Sequence, residues 1–215
     1  MPIPPQEQER PGESTSPPPG RLKIMDALRA LLREKEFSAI TWSDIARTAG
    51  VNEALIYKYF KDSRNLLHEV LKESLSRFVR RLNRDLKGVQ GARNKLRKLI
   101  WSTIDMYDSE RVFAKILFLE VRNFPGYFRS ETYRIVQEYA GMILGIIDEG
   151  IRKGELRRDI PPKLLRQVVL GAMEHAVLPG IIFDKPLRPD QTTEALCRII
   201  FEDILARPSN RQQGH

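Results

Sequence analysis

Residues Thr41–Phe60 read TWSDIARTAGVNEALIYKYF, and this stretch decides the fold. Asp44 follows Thr41 by three, the spacing at which a hydroxyl accepts from an early helix amide while the carboxylate returns to the cap residue's own N–H. Ile45 and Ala46 face inward, Ala46 being small enough for a second helix to cross closely. Gly50 stands where the chain must reverse and a left-handed backbone suits glycine best. Val51 plugs the corner, and Asn52 caps a second helix whose inward residues are Leu55, Ile56 and Tyr59. These offsets predict a helix-turn-helix. An ordinary helical hairpin has the same offsets, and the segment that follows separates the two. Ile56 to Lys61, IYKYFK, places two phenols and two ammonium groups together. Phe60 and one tyrosine belong to the core, while Lys58, Lys61 and the outward tyrosine are placed to hold phosphates.

Thr41, Ile45, Ala46, Ala49, Gly50, Val51, Asn52, Ala54, Ile56, Tyr57, Tyr59, Phe60 and Lys61 keep the spacing of a known pattern. On these residues, 21–61 resemble the DNA-binding domain of TetR-family transcriptional repressors. The sequence departs from the family pattern at Asn52, where Ser is common but Asn caps as well, and at Ala54, where Gly is common. It departs again after Phe60, where Lys61-Asp62-Ser63-Arg64 displaces the usual basic residue and leaves either Lys61 or Arg64 as a phosphate clamp. The resemblance implies a repressor of double-stranded DNA with a palindromic operator. Base contacts are expected from Asn52, Glu53, Ala54 and Lys58, and phosphate contacts from Thr41, Trp42, Tyr57, Tyr59 and Lys61. Glu53 either accepts from a cytosine amine or only favours the helix N-terminus.

Composition agrees with a polyanionic partner. The 215 residues carry a net charge of +8, and the positive excess is densest over residues 21–90; phosphate neutralisation supplies most non-specific affinity for nucleic acid. A hydrophobic share of 41% is enough for a buried core. The single cysteine, Cys197, excludes an internal disulfide and sits in an apolar pattern as a small buried hydrophobe. Neither a secretory signal nor an apolar run long enough to span a bilayer is present, so a cytoplasmic location without a membrane partner is expected.

Residues 1–20, rich in Pro, Gly, Ser and Glu and net acidic, are expected to be a disordered tail. A first helix is predicted from Arg21 to about Lys35, completing a helix-turn-helix domain over 21–66. Asp62 or Ser63 then caps a helix to about Leu86 carrying Leu66, Leu67, Val70, Leu71, Leu75, Phe78, Val79 and Leu82. Another begins near Ala92, followed by the apolar run Val112–Val121, in which Phe113, Ile116, Leu117 and Leu119 point inward. A long helix follows from Tyr133 to Lys153, then one from Pro161 that ends at Pro179-Gly180, then a last one from Pro189. No strand pattern appears. The fold is predicted all-α with about nine helices: a three-helix N-terminal domain, a C-terminal helical domain over 67–207, and a second disordered tail over 208–215.

The resemblance implies that the C-terminal domain binds a small molecule and pairs with a second subunit. The helices at 161–179 and 189–206 have apolar stripes wide enough to bury on two sides, and Gly171 and Ala172 permit a tight crossing at a two-fold axis. A homodimer is expected to present two recognition helices about 34 Å apart. Aromatics gather between Tyr107 and Tyr139, making Trp101, Ile104, Tyr107, Phe113, Leu117, Phe124, Tyr127, Phe128, Tyr133 and Met142 candidates to line an apolar effector pocket; residues at such spacing are also ordinary core. FLEVRNFPGYF is similar to the corresponding stretch of TetR-like regulators of fatty-acid degradation. That likeness implies a long-chain acyl-CoA effector with Arg122, Asn123 or Arg129 at its anionic head, and effector binding that tilts the helix over 62–86. A xenobiotic effector, or no effector at all, are the alternatives. No catalytic constellation, cofactor loop or metal set is found: Glu120, Glu138 and Asp148 are scattered helix-surface carboxylates, His68 is expected exposed, and His175 is expected to be a satisfied core or interface histidine.

Overall fold

The computed structural model describes residues 17–204, with side chains through Phe201. Most of the tail expected over 1–20, the tail at 208–215 and the end of the last helix at 205–206 lie outside the described residues. Nine α-helices are found among the described residues, and no strand. The chain divides into two compact units between Leu67 and His68.

Unit 1 holds α1 (Pro19–Leu31), α2 (Trp42–Ala49) and α3 (Glu53–Tyr59). Its core is Ile24, Met25, Leu28 and Leu31 of α1 against Ile45 and Ala46 of α2, Ile56 of α3, and Phe60. The α2 cap closes in both directions: the Asp44 N–H donates to Thr41 Oγ1 at 3.1 Å, and the Thr41 N–H donates to the Asp44 carboxylate at 3.1 Å. That backbone bond, helped by Lys35 at 3.1 Å, holds the Asp44 carboxyl down at about 2. Gly50 ends α2 at φ 65° and ψ 38°, the left-handed region that a Cβ disfavours. Asn52 Oδ1 accepts from the Leu55 N–H at 2.9 Å and starts α3. The helix that follows, α4 (Ser63–Leu86), is capped by Asp62, which accepts from the Asn65 N–H at 2.7 Å.

Two boundaries of α1 differ from the sequence reading. It begins at Pro19, inside the stretch expected to be a tail, because a proline in the first turn gives up an N–H that has no helical partner. It ends at Leu31, not near Lys35, since the amides of both Glu34 and Lys35 turn back onto the Leu31 carbonyl.

Unit 2 contains most of α4, then α5 (Ala92–Ser109), α6 (Arg111–Lys115), α7 (Glu131–Arg152), α8 (Pro162–Ile182) and α9 (Pro189–Ile204). α5 packs on α7, α8 and α9, and α7 packs on α8. The predicted inward residues of α4 from Val70 to Leu82 are all buried. Where α7 meets the start of α5 only glycine fits: a Cβ on Gly150 would stand 2.5 Å from the Cβ of Ala92 and 2.8 Å from Leu156.

The apolar run at 112–121 is not one helix. After α6 the backbone widens into a π-turn over Ile116–Glu120, then tightens into 3₁₀ turns over Val121–Asn123 and Pro125–Arg129. The shift in winding turns Phe118 inward and leaves Leu119 only half-buried. The helix from Pro161 was predicted to stop at Pro179-Gly180; α8 instead runs through to Ile182, where the Phe183 N–H still bonds to the Pro179 carbonyl at 3.0 Å. Gly180 makes this possible, since a Cβ there would fall 2.2 Å from Leu187. On α8 only Leu165, Val169, Met173, Val177 and Ile181, with Gly180, are buried; Leu164 and Val168 are exposed, as is Ile199 on α9. Met142 and Ile151 of α7 are half-buried.

Candidate DNA interface and effector cavity

In unit 1, α3 presents Glu53, Ala54, Tyr57 and Lys58 on one exposed face, with Asn52 at its head. Helical spacing explains the grouping, because 53 and 57, and 54 and 58, are four apart and therefore neighbours on the helix surface. Tyr57 is 58% exposed, and the Trp42 ring lies against it at 5.7 Å. The outward phenol is therefore Tyr57. Tyr59 is half-buried, set edge-on to Phe60 at 6.5 Å, and forms part of the wall beside Gly20. Lys58 Nζ lies 5.8 Å from the Tyr59 ring centroid. Lys61 and Arg64 are both exposed. Thr41 and Asn52 are exposed, but each has its side-chain oxygen committed to a helix cap.

In unit 2 a cavity of about 150 Å³ lies between α4, α5, α7, α8 and the turns at 116–129. Its walls are apolar: Leu75, Phe78 and Val79 from α4, Met106 from α5, Leu117 and Phe118 from the π-turn, Val136 from α7, and Leu170 and Met173 from α8. One side is polar, formed by Tyr107, Tyr127, Arg122 and Glu174. The Arg122 guanidinium grips the Glu174 carboxylate through both nitrogens, Nη2 to Oε2 at 3.0 Å, and lies 5.0 Å from the Phe118 ring centroid. Burial opposes the Arg122 charge, and the Glu174 partner outweighs it, holding the guanidinium above its ordinary range. Burial also pushes the Tyr107 phenol well above its usual range and Tyr127 up to about 12, so both keep their protons near neutral pH. A third phenol, Tyr139, exchanges a hydrogen bond with Thr103 Oγ1 at 2.7 Å. The hydroxyls of Tyr107 and Tyr127 have no such partner among the described residues.

Of the residues singled out from sequence for a ligand, the structure gathers Tyr107, Leu117, Arg122 and Tyr127 around this cavity. The others lie elsewhere. Ile104 and Phe113 are core, Met142 is half-buried on α7, and Phe124 and Phe128 are exposed. Tyr133 packs edge-on to Tyr127 at 5.4 Å and to Phe128 at 5.2 Å. Trp101 lies in a surface depression between α5 and α9, its indole N–H donating to Asp190 at 2.7 Å. Asn123 turns back to the Leu119 carbonyl and Arg129 points to solvent. His68, expected exposed, is half-buried and stacks on Tyr127 at 6.2 Å; His175, expected in a core or interface, is exposed in this chain.

The lining residues missed are Leu75, Phe78 and Val79 of α4, together with Thr103, Met106, Phe118, Val136, Tyr139, Leu170, Met173 and Glu174. The apolar ones have the helical spacing of ordinary core. Glu174 did leave a signal, as the one acidic residue between Pro162 and Ile182.

Comparison with known proteins finds a family match in each half of the chain. Residues 24–70 match the family described as bacterial regulatory proteins, tetR family, and residues 71–196 match the YsiA-like protein, C-terminal region. The fatty acid metabolism regulator protein of Bacillus subtilis (strain 168) is 28% identical over 167 residues, covering 78% of this chain and 86% of that protein. The HTH-type transcriptional repressor KstR2 of Rhodococcus jostii (strain RHA1) is 24% identical over 157 residues, or 72% of this chain and 76% of the relative. Among solved structures, the transcriptional regulator FadR from Bacillus subtilis in complex with stearoyl-CoA superposes with a TM-score of 0.76 at 26% identity, covering 83% of this chain and 96% of that one. Among the described residues, no helix is long and apolar enough to cross a membrane.

Proposed function

The chain belongs to the TetR family of bacterial regulatory proteins and is a DNA-binding transcriptional repressor, and we propose that a long-chain acyl-CoA releases it from its operator. The observation that carries the effector is the cavity, apolar on most sides and polar on one, as a site for an acyl group requires. The stearoyl-CoA held by the similar Bacillus subtilis structure supports the same reading. At about 150 Å³ the cavity is of the size that admits a benzene-like guest, so a long chain must open it. The π and 3₁₀ turns over 116–129 are the wall suited to give way, because they lack a regular helical hydrogen-bond ladder.

α4 supplies Leu75, Phe78 and Val79 to the cavity, and the division between the units falls inside this same helix. Acyl-CoA then lowers DNA affinity by its differential affinity for the two arrangements of α4, and by no more than that. The operator is a palindrome read by a homodimer. Its interface is made by α8 and α9, where Leu164 and Val168 on one and Ile199 on the other expose apolar surface that a second subunit would cover.

The test is binding of the purified protein to its own upstream DNA at fixed salt, with palmitoyl-CoA or free CoA added. Loss of the complex with palmitoyl-CoA alone is expected; a complex indifferent to the acyl chain would leave the repressor without this effector.

On the DNA side, Lys61→Ala and Tyr57→Phe are expected to weaken operator and random DNA alike, since phosphate contacts carry no sequence information. Lys58→Ala is expected to lower the operator-to-random ratio, each base contact contributing about 1–3 kcal/mol of discrimination. Asn52→Ala is the poorer probe, because losing the α3 cap costs about 1 kcal/mol of stability by itself. Competition titrations on both DNAs decide it: equal losses from every variant would contradict this division of labour.

A further inference from the structure

We propose that the polar side of the unit 2 cavity is built for an uncharged acyl carbonyl, and that Glu174 is the residue that turns a free fatty-acid carboxylate away. This rests on the acyl-effector reading and narrows it to a ligand class. The Arg122 guanidinium is the cationic group lining the cavity, and it is already committed, through both nitrogens, to Glu174. A carboxylate entering there gains no net positive charge and meets the Glu174 oxygens at close range, a like-charge juxtaposition that disfavours it even with both side chains of the pair more than a third exposed to solvent. An ester or thioester carbonyl suffers no such penalty.

The remaining polar groups favour the same class. The Tyr107 and Tyr127 phenols are protonated near neutral pH and have no hydrogen-bond partner among the described residues, whereas Tyr139 is satisfied by Thr103. Two neutral donors without acceptors, beside an ion pair that is internally closed, match a neutral acceptor on the ligand. The polar atoms of the site are thus complementary to a carbonyl oxygen.

Calorimetric titration of the full chain with myristoyl-CoA, S-myristoyl-N-acetylcysteamine and myristate tests this. The cysteamine thioester presents the neutral carbonyl without the nucleotide. It is expected to bind on the order of tenfold or more tightly than myristate. Glu174→Gln, which leaves Arg122 uncompensated, is expected to raise myristate affinity by a similar factor, and the double variant Arg122→Gln/Glu174→Gln to abolish that gain. The double variant keeps a neutral polar side, so it guards against reading a folding defect as a loss of selectivity. Myristate binding to the wild type as tightly as the thioester would overturn the proposal while leaving an acyl effector in place. A Glu174→Gln protein with no gain for myristate would overturn it equally. Failure of the wild type to bind any of the three would bring down the acyl-effector reading, and this inference with it.

Discussion

Val136→Trp is expected to stay on its operator in the presence of palmitoyl-CoA. Val136 is a half-buried residue of α7 that lines the cavity, and an indole there occupies much of a space of about 150 Å³. The acyl chain must then displace a rigid ring instead of parting a set of flexible side chains. DNA affinity without ligand is expected to match the wild type, because every residue assigned to DNA lies in unit 1. The measurable result is a shift in the palmitoyl-CoA concentration that releases DNA, on the order of a hundredfold, which is ~2.7 kcal/mol of coupling. Overpacking costs about 1–3 kcal/mol of stability, so thermal denaturation belongs beside the DNA titration. Release at the wild-type concentration would show that the effector does not enter this cavity.

Phe60→Ala is expected to abolish DNA binding by a different route. Phe60 is 1% exposed, sits between α3 and α4, and carries the Arg21 guanidinium 5.4 Å from its ring centroid. Removing the buried ring leaves a void in the unit 1 core, at a cost of about 3–5 kcal/mol. A small three-helix unit has little margin against such a loss. Unit 1 should then melt in an earlier, separate transition, while acyl-CoA binding in unit 2 persists. A single melting transition at the wild-type temperature would refute the structural role given to Phe60.

The contrast between these two sites explains what the sequence could convey. The DNA-binding motif is local: Thr41 and Asp44, Gly50, and Asn52 each act within three or four residues of their partners, so their spacing carries their geometry. α4 was similarly legible, because one period of apolar residues accounts for its whole buried face. The cavity is not local. Leu75, Met106, Leu117, Val136 and Met173 come from five separate stretches, and an apolar side chain beside empty space has the same spacing as one in a filled core. The Arg122–Glu174 pair spans 52 residues, which no periodicity encodes. Pro179 misled for a related reason: the rule that proline ends helices is statistical, and here Gly180 let α8 continue beneath Leu187.

The contact between Gly150 and Ala92 constrains how this chain can diverge. With only 2.5 Å between a Cβ at 150 and the Cβ at 92, neither position can gain bulk while its neighbour stays as it is. A lineage that acquires alanine at 150 needs glycine at 92 and a shift of Leu156 as well, so these positions are inherited as a set. Drift there is paired or blocked, and the crossing of α5 and α7 at Ala92 and Gly150 acts as a fixed frame while the cavity's lining residues, none of which takes part in that contact, are free to be exchanged for new effectors.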